Sequence, residues 1–328
     1  MKILFVFTGG TIGSTLDNNI ISTDKAKPYK LIAAYDEKYG VDFEYETLLP
    51  YSELSENNTG ENISLLLKTV GENINTGYDG IIVTHGTDTL QYSAAALGYY
   101  LGNDTVPVCI VSANKPIEDG ESNGLINLKA AMLFIKEGRG KGVFVPYRSS
   151  GDNEVRIHRA TRLLASLDFS DAQVSAPGDE YGAFDGDFQF KYNENYNESE
   201  DKIPAINGAV IGKYCDTVLP IYPYPGMKYP RSLDGVRAII LNTYHSGTIN
   251  TKSDAALEFF RAAKDSGVRL FVVGLENGPR YESASPYEAL GITPIFNISP
   301  IAAYVKLWLL LAAGRDISEV LQPLGGDM

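Results

Sequence analysis

Near the N-terminus the apolar run KILFVF (2–7) gives way to TGGTIG (8–13), and further on a second apolar run, GIIVTH (80–85), leads into GTDT (86–89). Glycine adopts backbone angles closed to other residues, so a Gly-Gly pair behind a strand lets peptide N–H groups come close to a ligand. Thr11 then presents a hydroxyl at the sheet edge. Asp88 stands before the helix-like TLQYSAAAL (89–97), where the orphan N–H groups and the dipole of a helix N-terminus favour negative charge. A hydroxyl nucleophile, N–H groups to hold an oxyanion and a carboxylate to pair with an α-ammonium suit hydrolysis of an amide borne by a charged amino acid. Each feature alone has a simpler reading: the glycines as a turn, Asp88 as a helix cap.

Other chemistries fit less well. TGGTIG lacks the G-x-x-x-x-G-K-S/T phosphate loop and the G-x-G-x-x-G dinucleotide spacing. The three histidines, His85, His158 and His245, are far apart and match no metal-ligand spacing, so no metal and no cofactor is expected. His85 is expected to be a hydrogen-bonded packing residue. Lys115, in ANKP behind another strand, is a candidate base whose simpler reading is an exposed loop lysine. The aromatic cluster IYPYPG (221–226) and the run ENGPRYE (276–282) are expected to serve packing and surface loop.

The elements that must position these residues alternate along the chain. Apolar runs at 2–7, 80–85, 107–112 and 142–147 are interleaved with helix-like segments at 61–75, 89–101 and 121–137. Continuous apolar strands are those buried on both faces, so the expected fold is α/β, a doubly wound, mainly parallel sheet. Ligands of such sheets bind beyond the carboxyl ends of the strands. The text KYNENYNESEDKIPAIN (191–207) is polar and reads as a linker, after which the rhythm resumes at 235–244, 253–265, 268–274 and 299–313. The expected division is an N-terminal α/β catalytic domain over 1–190, a linker over 191–207 and a smaller C-terminal α/β domain over 208–328.

With 28 Lys+Arg against 41 Asp+Glu, the formal charge of −13 disfavours nucleic acid and anionic membranes as partners. Two distant cysteines, Cys109 and Cys215, with no signal-peptide pattern and no apolar segment long enough to span a bilayer, point to a cytoplasmic setting.

Taken together, FTGGTIGS and IIVTHGTDTL, with VSANKP (111–116) and SNGLINL (122–128), resemble the two-domain bacterial L-asparaginase/glutaminase family of amidohydrolases. The resemblance implies that Thr11 is the nucleophile that forms an acyl-enzyme, that Thr87 belongs to a Thr-Lys-Asp activating group, and that Asp88 holds the substrate amine. It places Gly10, Gly86 and Ala113 around the pocket, and Ser55, with Glu56 beside it, on the substrate carboxylate. It also implies a homodimer or homotetramer, with each site completed by the neighbour through the loop NTYHSGT (242–248).

Two positions depart from that pattern. Where the family keeps its activating lysine in a Thr-Lys pair, this chain reads Thr161-Arg162; a guanidinium keeps its proton and has no acceptor, so Arg162 balances charge there rather than accepting a proton. Where the family has a lid tyrosine, this chain reads NNII (18–21), and the nearest tyrosine is Tyr29. The resemblance implies hydrolysis of L-asparagine to L-aspartate and ammonia, with L-glutamine as a second substrate. Its rivals are an amino-acid-binding protein of the same fold whose catalysis has faded, and the related amidotransferase component that feeds ammonia to charged transfer RNA. The acidic charge and the start of the sequence at the TGGT strand speak against the latter.

Overall fold

A computed structural model describes residues 1–10, 12, 14–17, 20–23, 28–176, 180–207, 212 and 215–328, with backbone alone for 14–17, 20–23, 28, 29 and 215. The first apolar run forms β1 (Lys2–Phe7), and β4 (Glu44–Leu48), β5 (Gly80–Thr84), β6 (Val108–Val111) and β7 (Val143–Tyr147) run parallel to it in the spatial order β4-β1-β5-β6-β7. Helices α1 (Pro28–Tyr39) and α4 (Gly124–Lys136) cover one face, packing Leu31 and Phe134 with Phe5, Ile82 and Phe144. On the other face α2 (Gly60–Asn73) and α3 (Leu90–Leu101) pack Leu66 and Ala94 with Leu4, Val83 and Ile110. The strands are buried on both sides, which is why they read as unbroken apolar runs.

The chain passes from β1 outward to β4 and then returns to β5 on the opposite flank of β1. Such a reversal splays the loops beyond the two strand ends and opens a crevice between them. TGG follows β1 and HGTDT follows β5, so both flank this crevice. Between β1 and α1, the strands β2 (Ser14–Asp17) and β3 (Ile20–Thr23) pair antiparallel as a hairpin.

The sheet continues past β7 with three antiparallel strands, β8 (Val155–Arg159), β9 (Gly182–Phe184) and β10 (Phe190–Tyr192). A second sheet of four parallel strands, β11 (Val218–Ile221), β12 (Ala238–Leu241), β13 (Arg269–Leu275) and β14 (Ile292–Phe296), carries α5 (Asp254–Asp265) and α6 (Pro300–Ala312). Helix α6 is apolar nearly all round and buried, as expected of a helix enclosed by protein. It packs on α3 and on β11 to β13, so one apolar core runs through both sheets.

The polar stretch 191–207 is tied down rather than free. Lys191 and Tyr192 belong to β10, Glu198 pairs with Arg159 at 2.7 Å, Lys202 N–H donates to Pro323 O, and Ile206 N–H donates to Tyr99 O. The end of the chain is held equally firmly. Lys306 of α6 meets Asp327 at 2.7 Å with both side chains fully buried, and Tyr99 of α3 donates to the same carboxylate oxygen at 2.9 Å.

Removing one partner of a buried pair strands the other charge and costs about 3–5 kcal/mol. Asp327→Ala is therefore expected to lower the denaturant midpoint strongly, whereas the paired change Lys306→Met with Asp327→Leu is expected to recover most of the loss. A second expectation concerns acid. His158, on β8, is buried beside Ser175, and burial together with the neighbouring Arg156 charge pushes its pKa down to about 3. The unfolded histidine titrates near 6.5, so the unfolded state binds more protons, and stability is full above about pH 6.5 and falls as pH drops toward 3. The loss reaches about 2 kcal/mol by pH 5. Thermal unfolding at pH 7.5 and pH 5 is expected to show this drop, and His158→Gln to flatten it.

Candidate active site

Three loops meet at the carboxyl ends of β1, β4 and β5. Behind β1, Gly9 bridges Glu53 and Gly10 N–H donates to Glu53 O at 2.9 Å, which draws the segment behind β4 alongside the glycines. Gly9 and Gly10 have φ of +99° and +78°, a region that side chains disfavour. A Cβ on Gly10 would lie 2.2 Å from Gly86 N, and one on Gly86 would lie 2.5 Å from Ser55 Oγ. Backbone therefore touches backbone across the crevice, and only glycine fits at both contacts.

Ser55 opens a short 3₁₀ turn, Ser55–Asn57, and is buried. Its hydroxyl accepts from Asp88 N–H at 3.2 Å and lies 3.4 Å from Asp88 Oδ2. Thr89 Oγ1 donates to Ser55 O at 2.8 Å, and Asn58 Nδ2 donates to Thr89 Oγ1 at 3.2 Å. The cap position of α3 is Thr89, and neither it nor Asp88 caps the helix through its side chain. The Asp88 carboxylate stays exposed at the helix start, beside Ser55.

The sequence candidates divide accordingly. Gly10, Ser55, Gly86, Thr87 and Asp88 are brought together. Thr87 is half-buried. Glu56 is exposed on the 3₁₀ turn. Ala113 is fully buried beyond the end of β6, where it packs against Gly124. Thr11 lies outside the described residues, between Gly10 and the buried Ile12. Asn18 and Asn19 also lie outside them, and Tyr29 stands in the first turn of α1 with its side chain outside them.

Arg162 must be corrected. Strand β8 runs antiparallel to β7, with Arg156 opposite Tyr147 and Arg159 opposite Phe144. It carries the chain away from the crevice to the amino-terminal edge of the parallel strands. There Thr161 packs on Gly98, about 15 Å along α3 from Asp88. Arg162 is buried, donating from Nε to Gly326 O at 2.7 Å and from Nη2 to Asn197 O at 2.5 Å, with its guanidinium over Tyr196. It locks the end of the chain and has no place beside Asp88. Lys115 is also excluded as a base: its ammonium pairs with Glu121 and Asp119, and the hydrogen bond to Glu121 raises its pKa.

Asn58, which the sequence did not single out, ties the Ser55 turn to the HGTDT loop. Its signal was its place three residues after Ser55, at the end of a tight turn. On the second sheet, the loops 242–248 and 276–282 come together behind β12 and β13, where His245, Ser246, Glu276, Arg280 and Tyr281 line a cavity of about 310 Å³. The IYPYPG stretch lines a separate apolar cavity of about 270 Å³ with Met227, Tyr229 and Tyr244. No group of three or more His, Cys, Asp or Glu suited to a metal occurs among the described residues, and no described helix is long and apolar enough to cross a membrane.

The chain is similar to several known proteins. A glutamyl-tRNA(Gln) amidotransferase component of Pyrobaculum aerophilum is 24% identical over 96% of this chain and 76% of its own length. Its counterpart in Methanosarcina acetivorans is 36% identical over 168 residues, 49% of this chain and 38% of its own. The thermostable L-asparaginase of Thermococcus kodakarensis superposes with a TM-score of 0.81 at 23% identity, covering 100% of this chain and 99% of its own, which shows a shared fold. The sequence pattern described as Asparaginase, N-terminal, matches residues 2–169, which include all three loops of the crevice, and the chain therefore belongs to the asparaginase family.

Proposed function

We propose that the crevice binds an α-amino acid bearing a side-chain amide and hydrolyses it, with L-asparagine as the substrate and L-glutamine as a slower one. The observation that carries this reading is the Ser55–Asp88 pair, held across a glycine contact that only a closely approaching ligand or backbone explains. An exposed carboxylate at a helix start recognises an ammonium, and the Ser55 hydroxyl, within reach of the same ligand, donates to its carboxylate. In this reading Thr11 attacks the amide carbonyl, ammonia leaves, and water releases L-aspartate from the acyl-threonine, with Thr87 assisting at the nucleophile. Asp88 and Ser55 offer partners for the ammonium and the carboxylate of such a ligand, and no cofactor enters the scheme. The relatives named for a transfer-RNA amidotransferase favour glutamine as an ammonia source to be tested beside asparagine.

A second reading is favoured by one observation. Lys115, the sequence candidate for a base, is paired to Glu121 and Asp119, and Arg162 lies at the far edge of the sheet. The same crevice then binds the amino acid without turning it over.

Ammonia release from millimolar asparagine or glutamine, measured beside calorimetric binding of aspartate, separates the two. Turnover that Thr11→Val abolishes supports hydrolysis, and saturable binding with no ammonia supports the second reading. Asp88→Asn is expected to weaken aspartate binding by about 10-fold or more, since it removes the charge that meets the ammonium. Arg162→Lys is expected to lower stability and leave turnover no higher; a clear rise in turnover would return residue 162 to the site.

A further inference from the structure

The buried ring of His85 sits directly beneath the crevice. Its Nδ1 lies 2.7 Å from Gly86 O, and its Nε2 lies 3.2 Å from Asn58 Nδ2. A carbonyl oxygen only accepts, so Nδ1 carries the proton; an amide nitrogen only donates, so Nε2 is bare. Turning the Asn58 amide over would set its oxygen against Nε2 and demand a proton there. In a neutral ring that leaves Nδ1 without one, facing the Gly86 carbonyl lone pair. Burial lowers the His85 pKa, which keeps the ring neutral and the two roles distinct.

The consequence lies on the far side of one peptide plane. In a trans peptide the N–H points opposite to the C=O. With Gly86 O drawn inward to His85, the N–H of Thr87, a half-buried residue, points away from the ring. The Thr87 N–H carries no hydrogen bond among the described residues, while the next N–H, that of Asp88, is taken by Ser55 Oγ.

We propose that His85, held as its Nδ1–H tautomer by Asn58, is a positioning residue that sets the Gly86–Thr87 peptide so that the free Thr87 N–H serves as the oxyanion donor of the site. This rests on the hydrolytic reading above. In the step it serves, the Thr11 oxygen forms a bond to the amide carbon, the carbonyl π pair moves onto oxygen, and that oxygen accepts from Thr87 N–H. When the carbonyl re-forms, the C–N bond breaks and its electron pair stays on nitrogen, which takes up the one proton that the Thr11 hydroxyl gave up and departs as ammonia. His85 exchanges no proton at any point. Asn58 acts one shell further out, since its other bond, to Thr89 Oγ1, ties the same peptide run to the Ser55 turn.

The test uses substitutions that imitate one ring nitrogen each. In His85→Asn the side-chain amide nitrogen takes a place near Nδ1 and still donates to Gly86 O, whereas in His85→Gln it falls near Nε2 and does not. The expected result is that His85→Asn keeps kcat within a few-fold. His85→Gln and Asn58→Leu are expected to lower kcat by about 10- to 100-fold, with KM for asparagine little changed, because a misplaced oxyanion donor is felt in the transition state. Nitrogen-15 spectra of histidine-labelled protein are expected to show the Nδ1–H tautomer for His85 and its loss to a mixture in Asn58→Leu. An Nε2–H signal, or equal effects of His85→Asn and His85→Gln on kcat, overturns the proposal. If the unsubstituted protein releases no ammonia, hydrolysis fails on its own account. The positioning role is then read from the backbone amide resonance of Thr87, which is expected to shift in His85→Gln and to hold in His85→Asn; equal positions in the two variants overturn it.

Discussion

The close approach of Gly10 to Gly86 is the constraint around which the crevice is organised. Where β1 and β5 end side by side at the reversal of strand order, a side chain at Gly10 would meet backbone of the other loop, which cannot turn away, and one at Gly86 would meet the Ser55 side chain. With glycine at both, the two loops share one wall, and Ser55 is pressed onto Gly86 from the third side. The hydrogen bonds among Ser55, Asn58, Thr89 and Asp88 follow from that proximity. The carboxylate and hydroxyl are thus presented by backbone held in place.

The two ends of the main sheet divide their work. At the carboxyl edge lie short polar loops and exposed Asp88. At the amino edge, Arg159, Thr161 and Arg162 meet the polar segment around Glu198 and the residues 325–328, while Tyr99, Lys306 and Asp327 join the two sheets through a buried ion pair. Helix α3 connects the edges: its start stands beside Asp88 and its end packs on Thr161.

Much of this was legible in the residues. The apolar runs of β1, β5, β6 and β7 announced themselves because both faces are covered, and the glycines and Asp88 stood out because they follow those runs directly. Strand β8 was harder to see: in VRIHR, Val155 and Ile157 face one core while Arg156 and His158 interrupt the pattern, so the direction of the chain through Arg162 could not be read. A matched Thr-Arg pair fixes position in sequence but not which edge of a sheet it reaches, and one antiparallel strand reversed the answer. The polar stretch 191–207 read as a linker since hydrophilic composition says nothing about backbone groups bonded to a neighbouring segment.

Asn58 and His85 show the deeper limit. A histidine at a strand end has two nitrogens and three protonation states, and which one it adopts is decided by the groups at its two ends, here Gly86 O from its own loop and Asn58 from another. No spacing rule joins residues 58 and 85, since they meet only because β4 and β5 flank β1. Once they meet, donor and acceptor inventory leaves one consistent assignment, because the carbonyl cannot donate and reversing the amide would cost the neutral ring one of its two contacts in either tautomer. The direction of the Thr87 N–H, away from the ring, is in this way fixed from the buried side.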